Sequence, residues 1–140
     1  MPATQPVLLP DHILGAVLTL AKQKLLQQDP EKKRLAFRGH DFKLQEIFSE
    51  LRATGKYPIL ATFVFSDNGP DPYSPALNRS VSRLQLSGLI GRENPDYEVV
   101  FLEPAADRFF DDVLKSEFDG DQLKALAEVA GEFLHRVQVV

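Results

Sequence analysis

The sequence has no cysteine among its 140 residues. This absence excludes disulfide bonds, thiolate nucleophiles and thiolate metal sites, and it fits a reducing compartment. A long hydrophobic run is also lacking, because the apolar residues 13–21 are too few to span a bilayer and no basic residue precedes them. We therefore expect a cytoplasmic protein that does not insert into a membrane.

Histidines are few and lie far apart in the sequence, at positions 12, 40 and 135. They show no metal-ligand spacing, and no phosphate-binding glycine loop accompanies them. Asp107 and Asp111 share a helical face and are a carboxylate pair of the kind used in acid–base or metal chemistry. Acidic residues in the first turns of a helix are, however, expected from the helix dipole alone. We expect no enzymatic activity, metal or cofactor, unless a cleft gathers these carboxylates and a histidine around an ion.

The net charge of −4 is unevenly distributed along the chain. Residues 1–92 carry 12 Lys and Arg against 8 Asp and Glu, whereas residues 93–140 carry 4 against 12. No acidic residue lies between Asp71 and Glu93, a stretch that contains Arg79, Arg83 and Arg92. An acidic protein of one domain is therefore predicted to carry a locally basic surface.

Residues 74–102 are typical of a helix followed by a hairpin. Ser74 is a suitable N-cap and Pro75 suits the first helical position, while Gly88 favours a helix end. The predicted inner side of this helix is Leu77, Val81, Leu84 and Gly88. The predicted outer side is Arg79, Ser82, Arg83 and Leu86, flanked by Asn78 and Gln85. Residues 89–90 are predicted to pair with residues 97–102 across a turn at residues 94–96. This pattern predicts the recognition helix and wing of a winged helix-turn-helix core at residues 41–102.

The chain before this core is predicted to hold a loose arm, residues 1–10, and a helix with its connection, residues 11–40. Asp11 is expected to cap this helix, which runs to about Gln28. It is apolar on more than one side and is either sandwiched between other elements or half of a homodimer interface. Residues 35–37 are predicted to form an edge strand or an irregular crossing.

Within the core, Asp41 is predicted to cap an amphipathic helix that ends at Gly55. Residues 57–65 fit a short buried helix better than a strand, because the next helix then follows in the order of a winged domain. Residues 66–73 are predicted to be an exposed loop, longer than the turn of a standard helix-turn-helix.

Residues 103–140 are predicted to form two acidic helices, one from Pro104 to about Lys115 and one that ends near Val137, with a break at residues 119–121. Four phenylalanines give these helices enough apolar surface to hold a dimer together, or else to pack on the core: Phe109, Phe110, Phe118 and Phe133. We expect a homodimer. The chain as a whole is thus predicted to be one mostly α domain with a small β-hairpin, of α+β class.

Several short motifs of the sequence occur together in one known group of proteins. These are Lys43-Leu44-Gln45, Gly69-Pro70, Pro72-Tyr73-Ser74, Leu84 and Gly88-Leu89-Ile90. In these positions the chain resembles the YwgA-like and Panacea (SocA-like antitoxin) group, although Asp71-Pro72 is inserted into its GPYS run. The resemblance implies a bacterial or archaeal protein that regulates by binding.

DNA is the first partner expected for the predicted outer side. Arginine pairs bidentately with guanine, and Asn or Gln with adenine, in a major groove. The predicted contacts are Asn78, Arg79, Ser82, Arg83 and Gln85 from the helix and Arg92 from the wing. Further phosphate contacts are predicted from Lys32, Lys33, Arg34 and Arg38 if they lie on the same side.

A protein partner is the alternative, as for an antitoxin or an adaptor. Leu86 lies in the middle of the predicted outer side, where a groove-binding helix gains little from it. Glu93 and Asp96 in the wing would repel phosphates, and the C-terminal helices are acidic. The exposure of Leu86 and the position of residues 32–38 discriminate between the two partners.

Overall fold

The computed structural model describes residues 9–38, 41–66, 72–93 and 99–139. The helices are α1 (Pro10–Gln28), α2 (Asp41–Ala53), α3 (Pro75–Leu86), α4 (Pro104–Glu117) and α5 (Gly120–Arg136), with a 3-10 helix at Pro58–Thr62 between α2 and α3. The strands are β1 (Ala36–Arg38), β2 (Ile90–Glu93), β3 (Val99–Leu102) and β4 (Gln138–Val139). The predicted mostly helical α+β class is confirmed.

Helix α1 lies at the centre of the packing and contacts α3, α4 and α5. Its buried residues cover several sides of the helix, so the sandwiched arrangement is the correct one. Gly15 allows the closest approach, because a Cβ atom there would overlap the ring of Phe110 from α4. The predicted cap was wrong by two residues. The helix begins at Pro10, whose fixed φ suits a first turn, and Leu9 occupies the N-cap position.

The sheet contains four antiparallel strands in the order β2-β3-β1-β4. The predicted hairpin is present, with Ile90 opposite Leu102. Residues 35–37 were predicted to be an edge strand or an irregular crossing, and the edge position was wrong, because β1 lies between β3 and β4. With only two residues, β4 is too short to show a strand period in the sequence.

The ring of Phe37 in β1 meets that of Phe133 in α5 edge to face, with centroids 5.2 Å apart. This contact joins the sheet to the last helix. Phe110, Phe118 and Phe133 are all buried within the single chain. These three rings are therefore unavailable for the dimer interface that we predicted from them, and the side chain of Phe109 lies outside the described residues.

Helix ends follow the sequence closely where the structure describes them. The left-handed backbone of Gly55, with φ of 72°, follows α2, and Asp119 caps α5 in a reciprocal capping box with Gln122. The predicted short helix after α2 is confirmed as a 3-10 helix, in which only Leu60 is fully buried. Asp41 is part of α2, and the residue that would cap it lies outside the described residues. Residues 1–8 of the predicted arm, residues 67–71 of the predicted loop and the turn at 94–96 also lie outside them.

Candidate functional site

Both ends of α3 are fixed by local hydrogen bonds. Ser74 Oγ accepts from the backbone N–H of Leu77 at 3.3 Å, as predicted for an N-cap. At the other end Gly88 adopts a φ of 75°, and the N–H of Leu89 donates to the carbonyl of Leu84 at 2.9 Å. These bonds, with Gly88 N–H donating to Gln85 at 3.1 Å, form a Schellman motif. The capped ends set which side of α3 faces outward.

A pair of reciprocal hydrogen bonds attaches the start of α3 to α2. The backbone N–H of Ser74 donates to Gln45 Oε1 at 2.6 Å, and Gln45 Nε2 donates to the Ser74 carbonyl at 3.0 Å. Gln45 is 2% exposed and Ser74 is fully buried. The amide thus satisfies the N–H of Ser74, which burial would otherwise leave unpaired. It is also a second donor to the Ser74 carbonyl, which accepts from the backbone N–H of Asn78 at 3.1 Å.

The two predicted sides of α3 are largely as expected. Leu77, Val81 and Leu84 are buried. Arg79, Ser82, Arg83, Gln85 and Leu86 are exposed, and Asn78 is half-buried. One position differs from the prediction, because Gly88 is exposed beyond the end of the helix. Ser80, for which no side was predicted, is fully buried against α1.

Asp11 of α1 holds Arg83 in a bidentate ion pair. Arg83 Nε donates to Asp11 Oδ2 at 2.7 Å, and Nη2 donates to Oδ1 at 2.8 Å. Ser80 Oγ donates to the same Oδ1 at 2.6 Å. Partial burial raises the pKa of Asp11, but the hydrogen bonds from Arg83 and Ser80 and the charge of Arg83 outweigh it, so this pKa lies below its usual value. The carboxylate therefore stays ionised and compensates the charge of Arg83.

The remaining predicted basic contacts are dispersed. Arg79 is exposed and forms no ion pair within the described part of the chain, whereas Arg92 is half-buried in β2. The basic run at residues 32–38 ends in β1. Strand β3 lies between β1 and β2, and β2 is the strand that follows α3 in the sequence. Arg34 in that run lies over the ring of Phe101, 4.6 Å from its centroid. In the sheet, Arg38 of this run is therefore separated from Arg92 of β2 by β3.

Exposed apolar side chains, by contrast, lie on or beside α3. The exposed large hydrophobic residues of the described chain are Leu9 (50%), Val64 (65%), Tyr73 (40%) and Leu86 (87%). Tyr73 directly precedes the cap of α3, and Leu9 lies two residues before Asp11. A groove of about 380 Å³ along α3 is lined by Leu84, Leu86 and Leu89 together with Asp11, His12, Arg83 and Ser87. A second groove, of about 460 Å³, contains Val64 and Arg79. We call the exposed surface formed by Arg79, Ser82, Arg83, Gln85 and Leu86 the outer face of α3.

The carboxylates considered for catalysis are each engaged by a lysine. Asp107 Oδ2 lies 2.6 Å from Lys22 Nζ, and Asp111 Oδ2 lies 3.0 Å from Lys115 Nζ. The described residues contain no group of three or more His, Asp or Glu side chains that could hold a metal ion. Among the helices described, none combines the length and apolar character needed to cross a bilayer.

Comparison with known proteins leaves the outer face of α3 as the main guide to function. The chain matches no family model and no curated protein. The resemblance to the YwgA-like and Panacea group stays a prediction.

Sequence reasoning missed three residues of this region: Asp11, Gln45 and Ser80. Gln45 stood within the quoted Lys43-Leu44-Gln45 motif, but its partner lies 29 positions away. Asp11 was interpreted as a cap, because an acid at a helix start has that local role most often. On the helical wheel Ser80 lies between the two predicted sides, so periodicity does not predict whether it is buried. In the structure its hydroxyl donates to the carboxylate of Asp11 in α1.

Proposed function

We propose that this chain is a winged-helix regulatory protein that works by binding, not by catalysis, and that the outer face of α3 binds a protein partner. The order α1-β1-α2-α3-β2-β3 supports this proposal for the fold. So does the strand pairing, because in a winged helix the strand after the first helix pairs with the second strand of the wing. The 3-10 helix and the following loop extend the connection between α2 and α3.

The proposed relation to the YwgA-like and Panacea group gains physical support from one contact. Gln45 belongs to the first quoted motif and Ser74 to the third, and the two residues exchange two hydrogen bonds. A loss of either motif would release the start of α3 from α2. The proposed antitoxin or adaptor role follows from this relation, and a cytoplasmic location stays a prediction.

The observation that carries the choice of a protein partner is the exposure of Leu86, which is 87%. Burial of a leucine side chain contributes about 1.5–3 kcal/mol. Leu86 lines a groove with Leu84 and Leu89, and the other lining residues are polar or charged. Exposed apolar residues that cluster and are bordered by polar ones are typical of interaction sites. A partner that inserts an apolar side chain beside Leu86 would recover this energy.

Charge supports the same choice. Because Asp11 compensates Arg83, the basic residues left for DNA on α3 and the wing are Arg79 and the half-buried Arg92. Two neutralised phosphates would give a salt slope of only about −2. A protein partner does not require a high positive charge at the surface.

Affinity capture from a cell extract tests this proposal, with wild type, Leu86→Asp and Leu86→Met as baits. The expected result is a protein that wild type and Leu86→Met recover and that Leu86→Asp loses. Ala105→Asp, which places the same charge at an exposed alanine of α4, serves as the control and should retain it. Equal recovery with all four baits would contradict the proposal.

Sedimentation equilibrium of the purified wild type and Leu86→Asp separates a foreign partner from a second copy of the chain. A dimer that Leu86→Asp dissociates would make the second copy the partner of this face. A monomer in both cases would leave a different protein as the partner on this face.

DNA is the second candidate, because Arg79, Ser82 and Gln85 are all exposed on the same side of α3. Fluorescence anisotropy with a mixed-sequence duplex at low and moderate salt tests it. If α3 binds DNA, Arg79→Ala and the double variant Arg79→Ala, Arg83→Ala should weaken the complex. Asp11→Asn should strengthen it by releasing Arg83. The absence of binding even at low salt would exclude this candidate.

A further inference from the structure

A third groove, of about 520 Å³, lies between α1 and α4, away from the ion pair of Asp11 with Arg83. Helix α1 contributes Thr19, Lys22 and Leu26, which share one side of the helix at spacings of three and four residues. Helix α4 contributes Asp107, Arg108 and Asp111. The groove therefore combines charged groups with a short apolar wall.

Lys22 brings a buried ammonium group to this groove. The residue is only 9% exposed, and its Nζ donates to Asp107 Oδ2 at 2.6 Å. An ammonium group has three N–H donors, and Asp107 is the one acceptor that Lys22 has in the described part of the chain. Two donors of a nearly buried cation remain for a ligand.

Thr19 adds a buried hydroxyl group that forms no hydrogen bond with the described residues. The residue is 3% exposed, and its Oγ1 has no hydrogen-bond partner among the described residues. A buried hydroxyl without a partner costs about 1–3 kcal/mol. A ligand that hydrogen-bonds Thr19 would remove this cost.

The charged residues that line the groove are two cations, Lys22 and Arg108, and two carboxylates, Asp107 and Asp111. Lys22 is compensated by Asp107, and Asp111 by Lys115. Arg108 is exposed and forms no ion pair with any residue that the structure describes. A guanidinium group is a strong donor to carboxylate and phosphate oxygens. The groove therefore offers a ligand the hydrogen-bond donors of Lys22 and Thr19 and the positive charge of Arg108.

We propose that this groove binds the oxyanion group of a small organic molecule. Lys22, Thr19 and Arg108 donate hydrogen bonds to its oxygen atoms, and Leu26 contacts the apolar part of the molecule. The guanidinium of Arg108 matches a carboxylate in charge and geometry. The same donors accept a phosphate group, and the experiment distinguishes the two. This site is independent of the partner of α3.

Chemical-shift titration of the 15N-labelled protein with sodium propionate, and separately with sodium phosphate, tests the proposal at constant ionic strength set with chloride. We expect saturable shifts of the amides around residues 19–23 and 107–111 with at least one of the two anions. Arg108→Gln and Thr19→Val should each weaken this binding about tenfold or more, because each removes a donor to an ionised group. Arg52→Gln, at an exposed arginine of α2, should leave the affinity unchanged.

Thermal unfolding of the variants separates a binding role from a structural one. Thr19→Val removes a hydroxyl without a partner, so its Tm in the absence of the anion should not fall. Saturable binding of propionate alone would assign a carboxylate site, and binding of phosphate alone a phosphate site. No saturable shift with either anion, or unchanged affinity in Arg108→Gln, would overturn the proposal.

Discussion

Leu84 and Leu86 lie two residues apart in α3, yet the first is 3% exposed and the second 87%. The inner face that contains Leu84 packs into the core, whereas the outer face that contains Leu86 is solvated. The same residue type therefore contributes to folding at one position and is free to contact a partner at the other. Substitutions on the two faces should change different measured quantities.

The largest expected effect is on the inner face. Leu84→Ala should lower the free energy of unfolding by about 2–5 kcal/mol, because it removes a buried side chain and leaves a cavity. Chemical denaturation measures this difference. Leu86→Ala should change the same quantity by no more than about 0.5 kcal/mol. Similar losses at the two positions would contradict the described orientation of α3.

A smaller effect is expected where α3 is attached to α2. Gln45→Leu should destabilise the fold by about 2 kcal/mol, since the N–H of Ser74 would be buried without a partner. Denaturation of this variant beside Gln85→Leu, at an exposed position of α3, provides the comparison. If both variants were equally stable, the Gln45–Ser74 bonds would not position α3.

The smallest effect on stability is expected at the ion pair between α1 and α3. Asp11→Asn should cost about 1 kcal/mol at neutral pH, a value limited by the half-exposed Arg83. Because the folded state lowers the pKa of Asp11, its contribution is fully present above the ordinary value of 3.8. The contribution is lost as the pH falls through the lowered pKa.

Denaturation of wild type and Asp11→Asn at a series of pH values from neutral to acidic tests this linkage. The difference in the free energy of unfolding should shrink at acidic pH. Asp112→Asn, at an exposed aspartate of α4, should show no comparable change. A difference between wild type and Asp11→Asn that does not vary with pH would contradict the assigned role of the carboxylate.

Local patterns predicted most of the fold because they depend on neighbouring residues. The cap at Ser74, the helix end at Gly88 and the hairpin of β2 and β3 all follow from short sequence spacings. The central position of β1 and the presence of β4 did not, since they depend on pairing between residues about 60 to 100 positions apart. The pattern of α1 left a core role and a dimer role open, and its packing partners decided between them.

The sequence likewise predicted only part of the candidate site. Helical periodicity placed Arg79, Ser82 and Leu86 on the outer face of α3. It did not predict that Asp11 compensates Arg83, because that carboxylate lies 72 residues away in another helix. Predicting the charge of the outer face of α3 therefore requires the tertiary structure, whereas the sequence alone predicts which residues form this face.

The most direct test of the proposed protein partner is the affinity of that partner, once purified, for wild type, Leu86→Asp and Arg79→Ala at low and moderate salt. Calorimetry should show binding that Leu86→Asp weakens at least about tenfold, as expected for the loss of one buried leucine. Arg79→Ala and added salt should have little effect. Binding that depends on Arg79 and salt but not on Leu86 would contradict the account.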